Sequence, residues 1–319
     1  MTQARIVINL PINQSVSDIL SRAATVQVAP SPDEQTMLGL LENTIGIVAR
    51  SEGKITRKII DAGTSLRVIG RPGAGYDSVD IAAATEHRIP VVYAPVGGFA
   101  VAEGALAMLL TLVKKIPLCD SLVKSNRWSQ RLEFSTGDMA EHTLGIVGLG
   151  RIGSHLAKLA RPFGMTILGH DPIVQPHSAD QMGVELVGLD ELLKRSDYVS
   201  LHLPMNDQTR GMINRDRLAC MKKGSILINA SRGAVVESLD VLADALESGQ
   251  LESVGLDVFP VEPPDVSHRI FKNPNCLCVP HLVGVSVLAM ERICRTMAQG
   301  MIEVLNGNTP QYCVNPEVV

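Results

Sequence analysis

The chain has 319 residues, of which 45% are hydrophobic and 19% charged, with a formal net charge of −4. That length suits two ordinary domains with well-buried cores, and the mild acidity gives no basic field for nucleic acid or an anionic membrane. Aromatic residues, at 3%, leave little surface for stacking sugars or RNA bases. No apolar run approaches the roughly 18 residues of a membrane span. Residues 1–10 lack the basic, long apolar and small-residue order of a signal peptide, so a cytoplasmic protein is expected.

From the N-terminus, residues 6–8, 26–28, 45–48 and 66–69 read as short apolar strands, and helical stretches such as 56–61 lie between them. This alternation is the pattern of a parallel sheet with crossover helices. Residues 101–115 are rich in Ala and Leu with no proline until Pro117, which predicts a long helix and marks a boundary. A second set of strands is expected at 144–147, 165–168, 198–201, 225–228, 254–256 and 277–279. The helix at 288–305 is closed by Asn306-Gly307 and Pro310. If it returns to the first set, that domain is discontinuous, residues 1–99 plus 288–319, with 100–287 as the second. Six cysteines are present, and their spacing fits no zinc pattern. Cys276 and Cys278 alternate with Leu277 and so share one face of a strand. All six are expected to be reduced, with no metal site.

Between the strand at 144–147 and a helix expected over 154–163 stands Gly148-Leu149-Gly150-Arg151-Ile152-Gly153, and Asp171 follows Gly153 by 18 residues. Gly148 permits a tight turn, Gly150 lets the backbone approach a pyrophosphate, and Gly153 lets the helix pack on the strand. Free amides and the dipole at the helix start favour the phosphate charge. An acid at 171 holds an adenine ribose and disfavours a 2′-phosphate, so NAD is expected over NADP. Three further segments follow strand ends: Asn229-Ala230-Ser231-Arg232-Gly233, the stretch Gly255-Leu256-Asp257-Val258-Phe259-Pro260-Val261-Glu262-Pro263, and Pro280-His281-Leu282. Taken singly, Arg232 reads as a surface ion-pair partner, Glu262 as a solvated loop acid and His281 as a packed or surface histidine. Together, at the carboxyl edge of one sheet, they supply a planar fork for a carboxylate, a proton donor working near neutral pH and an acid that orients it. Those are the groups that hydride chemistry on a 2-oxo acid needs.

These segments, in order with Arg71-Pro72-Gly73-Ala74-Gly75-Tyr76-Asp77-Ser78-Val79-Asp80, Val101-Ala102-Glu103 and Leu201-His202-Leu203-Pro204, resemble the D-isomer-specific 2-hydroxyacid dehydrogenase family over nearly the whole chain. The resemblance implies two Rossmann-like doubly wound parallel-sheet α/β domains with a cleft between them, one binding substrate and the other NAD. It also implies a homodimer, with the helix at 101–115 in its interface. Carried over by motif, Arg232, Glu262 and His281 are catalytic. Gly148, Gly150, Arg151, Ile152, Gly153, Asp171, His202, Pro204, Ala230, Asp257 and Gly284 hold NAD. Ala74, Gly75, Arg50 and Ser51, with Arg232 and His281, contact the substrate.

The reaction implied is NAD-dependent interconversion of a D-2-hydroxy acid and its 2-oxo acid, with 3-phosphoglycerate and hydroxypyruvate/glyoxylate as candidate substrates. A chain ending at Val319 matches a short form without the regulatory domain that many phosphoglycerate dehydrogenases carry. Two departures bear on substrate identity. Val283 stands where the family usually has glycine, and is expected to narrow the space beside substrate or nicotinamide. Gly97-Gly98-Phe99 replaces a polar, Asn-containing stretch. The alternative in another class is an NAD(H)-sensing binding protein or corepressor on the same fold, which the presence of all three catalytic residues disfavours. Formate members carry Gln where Glu262 stands, and phosphite members a Lys near Ala74-Gly75.

Overall fold

Short β-branched runs become strands that are buried on both faces. Ile6, Val7 and Ile8 are fully buried, as are Ile47, Val48, Val68 and Ile69, the composition expected where helices cover both sides of a parallel sheet. A computed structural model, which describes residues 4–50 and 52–319, divides the chain into two units. One comprises the residues up to Gly97 with Ser286–Val319, and the other Gly98–Val285.

In the first unit β1 (Arg5–Ile8), β2 (Thr25–Val28), β3 (Thr44–Val48), β4 (Val68–Arg71) and β5 (Val91–Tyr93) form one sheet in the order β2-β1-β3-β4-β5. Every pairing in it is parallel. The helix Val287–Leu305 packs on this sheet. Glycines make room for it: a Cβ at Gly70 would lie 2.2 Å from Met301 Sδ and 2.5 Å from Met297 Sδ. The chain after the helix is fastened by Asn315, which is 1% exposed. Its side chain accepts from the Val91 amide at 2.8 Å and donates to the Ile89 carbonyl at 3.0 Å.

The second unit holds β6 (Thr143–Val147), β7 (Thr166–His170), β8 (Glu185–Leu186), β9 (Tyr198–Leu201), β10 (Ser225–Asn229), β11 (Leu251–Leu256) and β12 (Cys276–Cys278). Their order is β12-β11-β10-β9-β6-β7-β8, again with parallel pairings. The chain leaves β6 toward β7 on one side and comes back to β9 on the other, so the strand order reverses between β6 and β9. At such a switch point the loops leaving the carboxyl ends diverge and open a crevice for a ligand. The helix Gly98–Val113 lies against β10, β11 and the helix Arg151–Ala160. Its Ala102, Ala105, Met108, Leu109 and Leu112 enter the core.

Several elements depart from their expected bounds. The chain around Leu66 is still turning, with its amide bonded to the Gly63 carbonyl at 2.8 Å, so β4 begins only at Val68. The helix after the glycine turn begins at Arg151, because Gly150 itself caps it, and Pro162 tightens its end into a 3₁₀ turn over Arg161–Phe163. β5 and β8 are three and two residues long, too short for an alternating pattern.

Candidate active site

At the carboxyl edge of the second sheet, Val147 pairs with Leu201, Leu201 with Asn229, Asn229 with Leu256 and Leu256 with Cys278. Five adjacent strands therefore end in register. The loops that leave them carry, in spatial order, the glycine turn after β6, His202 after β9, Arg232 after β10, Asp257 and Glu262 after β11, and His281 after β12.

The glycine turn is built as the spacing predicts. Gly148 has φ 94°, and a Cβ on it would lie 2.3 Å from the His202 carbonyl oxygen; one on Gly153 would lie 1.9 Å from the Gly148 carbonyl oxygen. Any side chain at either position displaces backbone. Gly150 is different, because a Cβ there would meet nothing within 4 Å. The turn is thus open on that side, at the N-terminus of the helix Arg151–Ala160, where first-turn amides and the helix dipole suit a pyrophosphate. Arg151 is exposed, Ile152 half-buried, and Ala230 buried at the end of β10.

Asp171 closes the turn from the neighbouring strand. Its Oδ2 accepts from the Leu149 amide at 2.9 Å, and its Oδ1 accepts from the Ile173 and Val174 amides at 2.9 and 3.2 Å. These bonds fix the carboxylate beside the glycines, where an adenine ribose would reach it. His202 is 8% exposed, and burial lowers its pKa to about 4, so the ring is neutral. Its Nε2 pairs with Ser200 Oγ at 2.8 Å, while its buried Nδ1 has no partner among the described residues. An orphaned ring nitrogen at the switch point, beside an open glycine turn, fits a bound dinucleotide. The pKa also sets a stability dependence. The unfolded state protonates His202 from about pH 6.5 and the folded state only near pH 4, so the contribution is fully present above 6.5 and is lost as pH falls toward 4. That amounts to about 3 kcal/mol. Thermal melts between pH 7 and 4 should show His202→Asn less acid-sensitive than the wild type, and parallel curves would count against this assignment.

Arg232 stands on a rigid loop. Asn229, 1% exposed, accepts from the Ser231 amide at 3.1 Å and from its hydroxyl at 2.9 Å, and donates to the Arg232 carbonyl at 3.0 Å. Its own carbonyl takes the Asp257 amide at 3.0 Å. A Cβ on Gly233 would lie 1.9 Å from the Phe259 carbonyl carbon, so glycine is required for the Arg232 loop to meet the loop carrying Glu262. Asn229 and Gly233 belonged to the expected motif, but the residue types alone did not disclose that they hold the arginine in place.

Glu262 and His281 meet. Glu262 Oε1 accepts from the Phe259 amide at 3.0 Å, and Oε2 lies 2.8 Å from His281 Nδ1. That leaves the opposite ring nitrogen, Nε2, as the one not engaged by Glu262, on a side chain 53% exposed. His281 has φ 55°, a left-handed conformation that few residues other than glycine adopt. It is held there by its own amide bond to the Val279 carbonyl at 3.0 Å, and by the next two amides, of Leu282 and Val283, which donate to Asp257 Oδ1 at 2.8 and 3.2 Å. Burial raises the Asp257 pKa, although those two amide bonds oppose the shift.

Val283 packs against the core of the second unit. Its side chain points at the helix Gly98–Val113: a Cβ at Gly104 would lie 2.4 Å from Val283 Cβ and 2.7 Å from its carbonyl oxygen. A glycine on the helix therefore makes room for both the backbone and the side chain of Val283, a contact visible only in three dimensions. Gly284 is pressed against the same helix, where a Cβ would lie 2.5 Å from Val101 Cγ2. Gly104→Ala should lift the loop and cost about 1–3 kcal/mol; a Tm equal to wild type would show that the loop yields freely.

Pro204 is exposed, and its carbonyl accepts from Thr209 Oγ1 at 2.7 Å. In the first unit Arg50 follows β3. Its amide donates to the fully buried Asn9 at 2.8 Å, and its guanidinium reaches the Pro11 carbonyl. Asn9 gave no signal in the sequence beyond following a strand. Ala74 and Gly75 lie in the loop after β4, which Gly73 turns with φ 123°. Ser51 lies outside the described residues. Among the described residues no cluster of three metal-binding side chains occurs and no helix is long and apolar enough to cross a membrane.

Residues 106–283 match the family model for the D-isomer specific 2-hydroxyacid dehydrogenase NAD binding domain. The chain is 38% identical over 315 residues to D-3-phosphoglycerate dehydrogenase of Synechocystis, covering 98% of this chain and 56% of that protein. Against the same-named protein of Methanocaldococcus jannaschii it is 34% identical over 313 residues, 98% and 59% respectively. It thus spans little more than half the length of these relatives. Among solved structures, the D-lactate dehydrogenase of Aquifex aeolicus complexed with NAD and lactic acid superposes with a TM-score of 0.88 at 28% identity, over 98% of this chain and 99% of that one. A glyoxylate reductase from Paecilomyes thermophila gives 0.89 at 28%, over 99% and 100%. On the family match, the ordered strand-end residues and the doubly wound sheets, the chain belongs to the D-isomer-specific 2-hydroxyacid dehydrogenases.

Proposed function

We propose that the protein is an NAD-dependent oxidoreductase that interconverts a small D-2-hydroxy acid and its 2-oxo acid. The observation that carries this reading is the Glu262–His281 contact of 2.8 Å, on the same sheet edge as Arg232 and the open glycine turn. Bound NADH supplies the hydride that reduces the substrate C2. Arg232 offers its fork to the substrate carboxylate and carbonyl oxygen, and stabilises the negative charge that grows on that oxygen. His281 gives its Nε2 proton to the same oxygen. Glu262 holds Nδ1, which orients the ring so that Nε2 faces the substrate oxygen. In the oxidative direction His281 takes the hydroxyl proton back. Ala74, Gly75 and Arg50 are assigned to substrate binding, and Asp171 to the adenine ribose.

Asp171→Ala should weaken NADH binding and relax the preference for NADH over NADPH; an unchanged ratio of the two affinities would remove Asp171 from the ribose. The exposed Ile116, Leu118, Val123, Trp128 and Leu132, on the segment following the helix Gly98–Val113, support a homodimer formed through this region. Reduced cysteines and the absence of a basic field favour a cytoplasmic enzyme.

The test is NADH oxidation against glyoxylate, hydroxypyruvate, 3-phosphohydroxypyruvate, pyruvate and branched 2-oxo acids, with NADPH in parallel. Turnover of at least one with NADH is expected, and the best substrate names the side chain the pocket accepts. NADH binding without turnover of any 2-oxo acid would favour the dinucleotide-sensing alternative.

A further inference from the structure

The strand that delivers His281 carries two thiols that its catalytic assignment does not use. β12 is the edge strand of its sheet, and Cys276 and Cys278, two residues apart, project from the same face with their sulfurs 3.6 Å apart. Cys278 is exposed and Cys276 half-buried. The hydrogen bond between them lowers the Cys278 pKa and raises that of Cys276. An accessible thiol with a second thiol in contact is the arrangement of an oxidisable cysteine with its resolving partner.

We propose that Cys276 and Cys278 form a reversible disulfide under hydroperoxide, and that this disulfide withdraws His281 from Glu262. Hydrogen peroxide is the oxidant. The Cys278 sulfur attacks one peroxide oxygen; an S–O bond forms, the O–O bond breaks, and hydroxide leaves to be protonated to water. The Cys276 sulfur then attacks the Cys278 sulfur; an S–S bond forms, the S–O bond breaks, and the departing hydroxide takes the Cys276 proton as a second water. The two thiols lose two electrons and two protons, and one peroxide becomes two waters.

The extended strand resists the product, and this links the thiols to the site. Residues i and i+2 of a strand stand ~6.6 Å apart at Cα, at the far limit of what a disulfide spans, and their Cβ atoms must approach to about 4 Å. Closing the bond therefore shortens β12. The pairings at risk are Val254 with Cys276 and Leu256 with Cys278, and the Val279 amide bond to the Leu256 carbonyl at 2.8 Å. His281 hangs from that point, its amide bonded to the Val279 carbonyl. An edge strand has a single neighbour to hold it in register, so β12 gives way more easily than an interior strand. A strained, exposed disulfide of this kind is readily reduced.

Trypsin releases both cysteines together with His281 in one peptide, residues 273–292, which contains no other cysteine. Reduced protein is treated with hydrogen peroxide, then mapped by mass and assayed. The expected result is this peptide two hydrogens lighter and closed to alkylation, turnover lowered by about 100-fold, recovery with dithiothreitol, and a C276S/C278S variant that keeps its turnover through the same treatment. The proposal is overturned if both thiols remain open to alkylation after peroxide, if the disulfide forms with turnover unchanged, or if the double variant is inactivated equally. The activity arm rests on the dehydrogenase reading and the mass arm does not. A chain that forms the disulfide but reduces no 2-oxo acid would therefore fail that reading while leaving the thiol chemistry in place.

Discussion

Replacing His281 with alanine is expected to lower turnover of a 2-oxo acid by about 10²–10⁴-fold, the range for loss of a positioned acid–base group, while NADH binding survives. The separation follows from the architecture. The imidazole reaches Glu262, not the glycine turn, and the loop backbone is held by bonds that the ring does not make, the Leu282 and Val283 amides on Asp257. Stopped-flow turnover and NADH fluorescence titration on one preparation separate the two effects. Unchanged turnover would remove His281 from the chemistry. Equal loss of turnover and of NADH affinity would mean that the substitution had collapsed the loop.

Arg232→Ala should be nearly as damaging, but in a different parameter. The guanidinium is assigned to a group present in both ground and transition states, the substrate carboxylate, and also to a charge that grows only in the transition state. KM should rise and kcat should fall, with kcat/KM down by about 10³-fold or more. Arg232→Lys should restore only part of this, because an ammonium cannot offer a planar fork. The scaffold keeps the variant interpretable: the loop is held by Asn229 and by the Gly233 approach to Phe259, neither of which needs the arginine side chain. An effect confined to NADH affinity would contradict the assignment.

The architecture was legible in the sequence because its signals are local. Strand, glycine turn, helix, strand and acid follow one another within residues 143–171, and each step has its own residue types. Arg232, Glu262 and His281 were legible for a related reason. Each follows a strand, and a parallel sheet brings all such positions to one edge whatever the helices between them do. Contacts between distant segments were not legible. Val283 looked like an obstruction because the glycine that makes room for it, Gly104, lies in another element. Asn9 looked like an ordinary strand end and Asn229 like one member of a motif, yet their side chains hold the backbone of Arg50 and Arg232. β5 and β8 escaped because two or three residues cannot display a period, and the helix Arg151–Ala160 was expected to start late because a glycine cap carries no side-chain signal.

If the proposed reaction runs at this site, bound NADH would supply a hydride to C2 of a 2-oxo acid and the product would be the D-hydroxy acid. The decisive experiment supplies the best chiral-product oxo acid from the panel, glyoxylate excluded, with NADH dideuterated at C4, and analyses the product by NMR and chiral chromatography. The expected product is a D-2-hydroxy acid with deuterium at C2, formed by the wild type and reduced with His281→Ala to the small fraction expected above. An L product, or a hydroxy acid with no deuterium at C2, would contradict it.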